Sequence, residues 1–450
     1  MKRKLIRTST VPTSLLTFLD GQVEEMQARY DLVLLSSPGR ELTELESRYG
    51  VRTIGIGMER RMAPLKDVKS LWLLVKVLRK ERPAMVHSMT PKAGLLCMLA
   101  AWLTRVPQRV HTFTGLVWPT ERGLKRRILM LTDWLTCACA THVIPEGQGV
   151  MNDLQRHITR KPMRVLGYGN VRGIDLERWQ RANASTAMLA KLRRDDAFTF
   201  LFVGRIVRDK GIDELIEAFI QLDRHLKVRL VLTGRFEDAL DPVAPTTRQT
   251  IERHPDIVVT GEQSGADLLA CYAAADCFVF PSHREGFPNT VIEAGAMELP
   301  SIVTDINGSR EIVRDGENGL VVPPCSAEAL AAAMERIASD DALRRRLVAN
   351  ARPLIAARYE QGFVRRCLMD FYEECLGGDN KLSPPSYSHS STRPARPSWL
   401  CGARCVSALR ENLTPIETIE TTGFAMKQME KCCLCCLYCR LKQLVVLHFS

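Results

Sequence analysis

The feature that most constrains the fold is a repeated alternation of short apolar runs with amphipathic helical stretches. "YDLVLLSS" precedes "RELTELESRYG", "AMVHSMT" precedes "KAGLLCMLAAWLTR", and "QRVHTFTG" precedes a helix rich in Leu and Trp. Alternation of this kind predicts parallel strands with helices on both faces of the sheet. The pattern restarts after residue 195 with "DAFTFLFVGR", "KVRLVLTGR", "DIVVTGE", "DCFVFPS", "PSIVTDI" and "NGLVVPP". Two doubly wound α/β domains follow. That number also suits a chain of 450 residues, because single hydrophobic cores stop growing near ~250–300 residues.

Between the two patterns lies "RVLGYGNVRGIDLERWQRANAST", glycine-rich and then polar, as a connector and hinge would be. We read residues 1–180 as an N-terminal Rossmann-like domain and 181–355 as a C-terminal one. A break between consecutive helices is expected near Pro353, followed by a helix at 356–376 that packs back on the N-terminal domain. From Gly377 the chain turns rich in Ser and Pro, which predicts a disordered tail over 377–450. Seven of the fifteen cysteines crowd into its last fifty residues, with Cys-x-x-Cys spacing at Cys432/Cys435 and Cys436/Cys439. Adjacent cysteines without a second well-spaced pair match a zinc site poorly. The eight cysteines in 1–376 are scattered singly, as buried small hydrophobes in a reducing compartment are.

The net charge of +11 sits in the N-terminal third, where residues 1–130 hold 23 Lys and Arg against 11 Asp and Glu. Such a field favours anionic partners, either nucleic acid or an anionic membrane leaflet. Only 6% of residues are aromatic and no aromatic-basic stacking pattern occurs, which disfavours nucleic acid. The basic start "MKRKLIRTSTVPTS" lacks a continuous apolar stretch, so no signal peptide is expected. "AGLLCMLAAWL" falls short of the ~20 residues that cross a bilayer. Membrane contact is therefore expected to be peripheral, and Lys69, Lys76, Arg79, Lys80, Lys125, Arg126 and Arg127 are candidates for it or for contacts to an acceptor phosphate.

Two loops carry the chemistry. After the strand "FTFLFVG", Gly204 gives a tight exit, and Arg205 and Lys210 then flank a turn before a helix. Two cations at a strand's carboxyl end, near a helix N-terminus, suit a diphosphate. The loop "HREGFPN" follows "DCFVFPS" in the same way, with Gly286 and Pro288 leading into a helix whose first amides, at Asn289, Thr290 and Val291, face the loop. Glu285 lies before that helix and Glu293 about one turn inside it. Eight residues of helix would separate them by ~12 Å, whereas a glycoside-hydrolase pair stands ~5 to 9.5 Å apart. The chain contains no Asp-x-Asp, and neither glutamate has a His or Asp at metal-ligand spacing, so no metal is expected.

"EGFPNTVIE", "FVGRIVRDKGIDELIEAF" and "DINGSREIVRDGENGLVVPP" together resemble the family 4 retaining glycosyltransferases of the GT-B fold, over roughly residues 1–376. The resemblance is to bacterial enzymes of capsule, exopolysaccharide and O-antigen (lipopolysaccharide) synthesis. It implies that Arg205, Lys210 and Glu285 are catalytic, the cations holding the donor diphosphate and Glu285 the transferred sugar. Gly204, Gly286, Phe287, Pro288, Asn289, Thr290 and Val291 would line the donor. Glu293 would bind the ribose, and Gly261 and Glu262 would edge the base. His87, Lys92, His111 and Thr114 are the acceptor-side candidates. Thr114 stands where the family often has a histidine, and His111 lies three residues earlier.

The family acts without a metal or cofactor and retains anomeric configuration. The implied enzyme is a cytoplasmic hexosyl- or N-acetylhexosaminyltransferase at the inner membrane face. It would take a nucleotide-sugar donor and a lipid-linked glycan acceptor. Two other readings stand beside it: a transferase on a soluble acceptor, and a non-catalytic nucleotide-sugar-binding module. Donor hydrolysis without acceptor separates the module from the enzymes.

Overall fold

The computed structural model describes residues 2–60, 62–238 and 241–377; the reading of the tail beyond Gly377 lies outside the described residues. In the first half, strands β1 (Lys4–Thr8), β2 (Asp31–Ser36), β3 (Arg52–Gly55), β4 (Met85–Met89), β5 (Gln108–Phe113) and β6 (His142–Pro145) form one sheet. Its helices are α1 (Pro12–Phe18), α2 (Val23–Arg29), α3 (Arg40–Tyr49), α4 (Pro64–Glu81), α5 (Pro91–Leu103), α6 (Gly123–Cys139) and α7 (Gln148–His157). Helix α8 (Thr186–Leu192) precedes the second half. There β7 (Phe198–Val203), β8 (Val228–Thr233), β9 (Ile257–Gly261), β10 (Cys277–Phe280), β11 (Ser301–Thr304) and β12 (Gly319–Val322) form the other sheet. They alternate with α9 (Ile212–Asp223), α10 (Pro245–Arg253), α11 (Gly265–Ala273), α12 (Asn289–Ala296), α13 (Ser309–Ile312) and α14 (Ala327–Ser339). Two helices, α15 (Asp341–Tyr359) and α16 (Gln361–Leu376), end the described chain.

Both sheets are wholly parallel and share one order. The first runs β3-β2-β1-β4-β5-β6 and the second β12-β11-β10-β7-β8-β9. Strand order therefore reverses between β1 and β4 in one half and between β7 and β10 in the other. In such sheets ligands bind outside the strand carboxyl ends at that reversal. The apolar strands are buried on both faces, as in β8, where every residue is buried. Burial by helices on each side favours near-continuous apolar runs over alternating ones; the exception in β8 is Arg229, whose guanidinium donates to Leu192 O.

Three strands of the first sheet were hidden from the sequence reading. In β1, Arg7 breaks the apolar run, yet this arginine is 1% exposed. Its Nη1 lies 3.1 Å from His87 Nδ1 and also reaches the Tyr372 hydroxyl. Strand β3 is a four-residue edge strand without a buried residue, and β6 is equally short.

The expected break at Pro353 is corrected. Helix α15 runs through Pro353 to Tyr359, so the 355/356 line falls inside a helix. Arg352 anchors that stretch by donating to the carbonyls of Trp179, Leu176 and Ala296. The chain breaks at Glu360, whose extended backbone (ψ 134°) leaves the helix. Its carboxylate then caps α16 by accepting from the amides of Gly362 (2.6 Å) and Phe363 (2.8 Å). Helix α16 buries Leu368, Met369, Phe371, Tyr372 and Leu376 in the core that also holds Leu5, Leu15, Leu34 and Val110 of the first half. The connector Arg172–Asp175 lies beside the α15–α16 break: Ile174 N–H donates to Tyr359 O (2.8 Å), and Gln361 N–H donates to Ile174 O (2.9 Å).

Candidate active site

The loops after β7 and β10 meet at the second sheet's reversal point, and there Lys210 Nζ is ion-paired with the Glu285 carboxylate. Both side chains are mostly buried, so water screens the pair weakly. Ser282 Oγ donates to the same carboxylate oxygen at 3.2 Å. Lys210 also lies 5.4 Å from the centroid of the Phe280 ring. Gly211 makes the tight turn possible: it has φ 70°, and a Cβ there would stand 2.1 Å from Pro281 O.

Gly204 ends β7 and Arg205 follows, its Nη1 2.8 Å from Glu237. That hydrogen bond from Arg205 holds the Glu237 carboxyl below its usual range. Arg205 is 46% exposed, so it is free to turn from Glu237 to an anion.

Helix α12 starts where expected, with Pro288 at its N-cap. The first amides of a helix have no intrahelical partner, which leaves those of Asn289 and Thr290 for a ligand. Val291 differs, because its N–H donates to Pro288 O at 3.2 Å. Phe287 is 5% exposed, and its ring packs edge-on against Tyr359, so it offers a donor only its backbone. Gly261 closes β9 with φ 73°, and Glu262 beside it stands exposed, 3.6 Å from Arg235.

Glu293 is gripped from two sides. Arg172 Nη2 donates to Oε1 at 3.0 Å and the Tyr272 hydroxyl to Oε2 at 3.1 Å. The sequence reading missed both partners, which lie 121 and 21 residues away. The "GNVRGID" segment was the available signal for Arg172. Arg172 is a positioning residue: Arg172→Ala should raise the donor KM about tenfold with a smaller change in kcat, since a hydrogen bond to a charged group contributes ~1.5–3 kcal/mol. Steady-state kinetics against donor concentration checks the split.

The two halves touch at the clamp. Asn170 Nδ2 donates to Asn289 Oδ1 at 2.9 Å, and the Glu311 carboxylate accepts from the first amides of α7, Gln148 (2.6 Å) and Gly149 (2.9 Å). A carboxylate from one half thus caps a helix of the other. Opposite Glu285 stands Glu146, at the end of β6, 4% exposed. Burial first, then the charges of Glu285 and Glu311, raise its pKa well above the usual carboxylate range.

A carboxyl that stays protonated when folded and ionises when unfolded loses stabilising value as pH rises from its unfolded towards its folded pKa. Glu146→Gln removes that loss. The variant should gain in melting temperature over the parent as pH rises above the ordinary carboxylate range, a widening gap that calorimetry can read.

The acceptor-side candidates separate. Thr114 follows β5 into the cleft, and its carbonyl abuts Gly286. Two corrections concern the histidines. His87 is 1% exposed and bonded to the Tyr372 hydroxyl (2.6 Å) and Thr112 Oγ1 (2.7 Å). His111 is equally buried and lies 2.8 Å from Ser88 Oγ. Burial lowers both pKa values, that of His111 to about 3, so neither ring carries a proton at neutral pH. Lys92 is held by Asp67 at 2.5 Å. Thr10 and Thr90, whose hydroxyls lie 2.8 Å apart at the first sheet's reversal point, went unnoticed in sequence.

A groove of about 700 Å³, lined among others by Arg181, Arg193 and Arg344, lies at the opposite end of the second sheet and contains none of the clamp residues. Among the described residues no helix is long and apolar enough to cross a membrane.

The family model described as "Glycosyl transferases group 1" matches residues 186–353, and that described as "Glycosyl transferase 4-like domain" matches 17–169. The capsular polysaccharide biosynthesis glycosyltransferase CapM of Staphylococcus aureus is 32% identical over 378 residues, which cover 83% of this chain and 98% of that protein. The UDP-Gal:alpha-D-GlcNAc-diphosphoundecaprenol alpha-1,3-galactosyltransferase of Escherichia coli is 26% identical, over 63% of this chain and 74% of its own. Anabaena HepE, solved in complex with UDP, superposes with a TM-score of 0.67 over 82% of this chain and all of that chain, at 17% identity. With both halves matched and one relative aligned over nearly its whole length, the chain belongs to the family 4 glycosyltransferases of the GT-B fold.

Proposed function

We propose that this glycosyltransferase moves a hexosyl or N-acetylhexosaminyl group, with retention and without a metal, from a nucleotide-diphosphate sugar to a lipid-linked glycan precursor of a capsule-type polysaccharide. The observation that carries the donor side is the part-buried Lys210–Glu285 pair at the strand-order reversal, with Arg205 beside it. Lys210 and Arg205 take the diphosphate, and the open amides of α12 face its charge. Glu285, released from Lys210, accepts a hydroxyl of the sugar, and Glu293 accepts the ribose hydroxyls on lone pairs not used by Arg172 and Tyr272. The bond between the anomeric carbon and the leaving phosphate oxygen breaks as the acceptor oxygen bonds on the same face. The acceptor proton passes to that phosphate. No side-chain base is needed, which fits two buried, neutral histidines.

A lipid-linked acceptor is supported by the outer surface of the first half. Leu65, Val68 and Trp72 are exposed along α4, and Leu124, Ile128 and Leu131 along α6, both at helical spacing. Lys69, Lys76, Arg79 and Lys80 flank the first stripe and Lys125, Arg126 and Arg127 the second. Apolar stripes edged with cations suit an anionic bilayer surface, and the name of the Escherichia coli relative, which includes a diphosphoundecaprenol-linked sugar, supports a lipid-linked acceptor. Charge reversal at Lys125, Arg126 and Arg127 should cut co-sedimentation with anionic vesicles several-fold; unchanged binding would remove the membrane reading.

The function is tested with a panel of nucleotide sugars and a polyprenyl-diphosphate-linked saccharide in EDTA, the anomeric signal of the product being read by proton NMR. A product with inverted configuration, or none until a divalent ion is added, would sink the mechanism. Transfer to free sugar phosphates alone would sink the acceptor.

A further inference from the structure

We propose that Glu214, His283 and Cys325 form a binding site for a zinc-class divalent cation beside the diphosphate clamp. The three come from separate elements: the first turn of α9, the loop after β10 and the segment after β12. Their ligand atoms, a carboxylate oxygen, a ring nitrogen and a thiol sulfur, all lie within 4.8 Å of one another. Glu214 Oε1 and His283 Nε2 are 2.9 Å apart.

A second observation points to a ligand. The other carboxylate oxygen, Glu214 Oε2, is buried and has no hydrogen-bond partner. A buried oxygen without a partner marks a place where a water or ion belongs. Cys325 is held with φ 58°, the left-handed region that a residue with a Cβ seldom adopts, and it is exposed, so a solvated ion can reach it. Burial and the Glu214 charge raise the pKa of its thiol, and a cation at this point would act in the opposite sense. A carboxylate, an imidazole and a thiolate together suit zinc rather than magnesium or calcium, which take all-oxygen shells. Three protein ligands leave a fourth position for water.

The site would brace the clamp without entering the transfer step. His283 stands two residues before Glu285, and its N–H donates to Asp209 O at 2.9 Å, next to Lys210. A cation shared with Glu214 would tie α9 to this loop. Among the described residues a second convergent group, Asp223, His254 and Asp256, has no thiol and no orphaned buried atom, and serves as the control.

Full-length protein, reduced and stripped with EDTA, is titrated with Co²⁺ and then with Zn²⁺. Any metal taken up by the seven cysteines after Gly377 is common to parent and variants, so the reading is the difference between variants. Cys325→Ser, His283→Gln and Glu214→Gln should each lose the same single equivalent of metal, and His254→Gln should lose none. The Cys325→Ser variant should also lose part of the near-ultraviolet thiolate-to-cobalt absorption, and the zinc-dependent rise in Tm should shrink in all three. Cys325 is exposed, so its variant should fold even if His283→Gln does not. Equal stoichiometry in the parent and Cys325→Ser would overturn the proposal.

Discussion

Lys210→Ala is expected to lower kcat for sugar transfer by about 10²–10³-fold, the usual loss when one preorganised charge is removed from a developing anion. Lys210 is both the cation closest to Glu285 and the residue at the turn into α9, so it can meet the leaving diphosphate without reorganising the backbone. Its removal also leaves the mostly buried Glu285 without a counter-charge, close enough to raise the pKa of Glu146. The donor KM should change less than kcat, because Arg205 and the α12 amides still contact the diphosphate. Lys210→Arg should recover little, since a longer, planar guanidinium does not place its charge where the compact ammonium meets Glu285. Single-turnover kinetics with a matched melting curve checks this. A folded Lys210→Ala enzyme at the parental rate would show that the diphosphate lies elsewhere.

Gly286→Ala should reduce transfer at least tenfold with nucleotide binding nearly intact. A Cβ at this position would stand 2.2 Å from Thr114 O, 2.6 Å from Thr114 C and 2.8 Å from Gly115 Cα. All three are backbone atoms, so no side chain can swing away. One half of the molecule must retreat from the other, and overpacking of this kind costs ~1–3 kcal/mol. On the proposed reading the retreat parts acceptor from sugar, whereas Arg205, Lys210, Glu293 and the α12 amides all lie in the second half, with Arg172 reaching Glu293 from the connector. Small-angle scattering should report a larger radius of gyration, and calorimetry an almost unchanged nucleotide affinity. Parental turnover in Gly286→Ala would mean that transfer does not use this approach.

Sequence periodicity revealed all six strands of the second sheet because each is a compact, mostly apolar run between turn residues, even where Thr199 interrupts β7 and Arg229 interrupts β8. It passed over β1, β3 and β6, where Arg7 and short lengths blur the pattern. The clamp was legible for a related reason: Lys210 and Glu285 each sit just beyond a strand end, a position that a βα pattern identifies without knowledge of packing. The partners of Glu293 were not legible, because Arg172 reaches it from the connector and Tyr272 from another helix. Nor was the burial of His87 and His111, which depends on what covers the carboxyl half of each strand. For His87 the cover is Tyr372, 285 residues later in the chain. Glu146 shows the same limit: one carboxyl in "IPEGQ" gives no sign that two others will face it across a domain boundary.

The connector at Ile174 and the helix break at Glu360 pass between the halves side by side, stitched by two backbone hydrogen bonds. Two separate tethers would let one body slide, tilt and twist on the other. Sewn together, they behave like a door on a single pin, with essentially one angle left to vary. The last helix, α16, swings with the first half, because its Tyr372 is built into that half's interior. The meeting of Gly286 with Thr114 sets the closed limit of that angle, which one inter-domain distance would report.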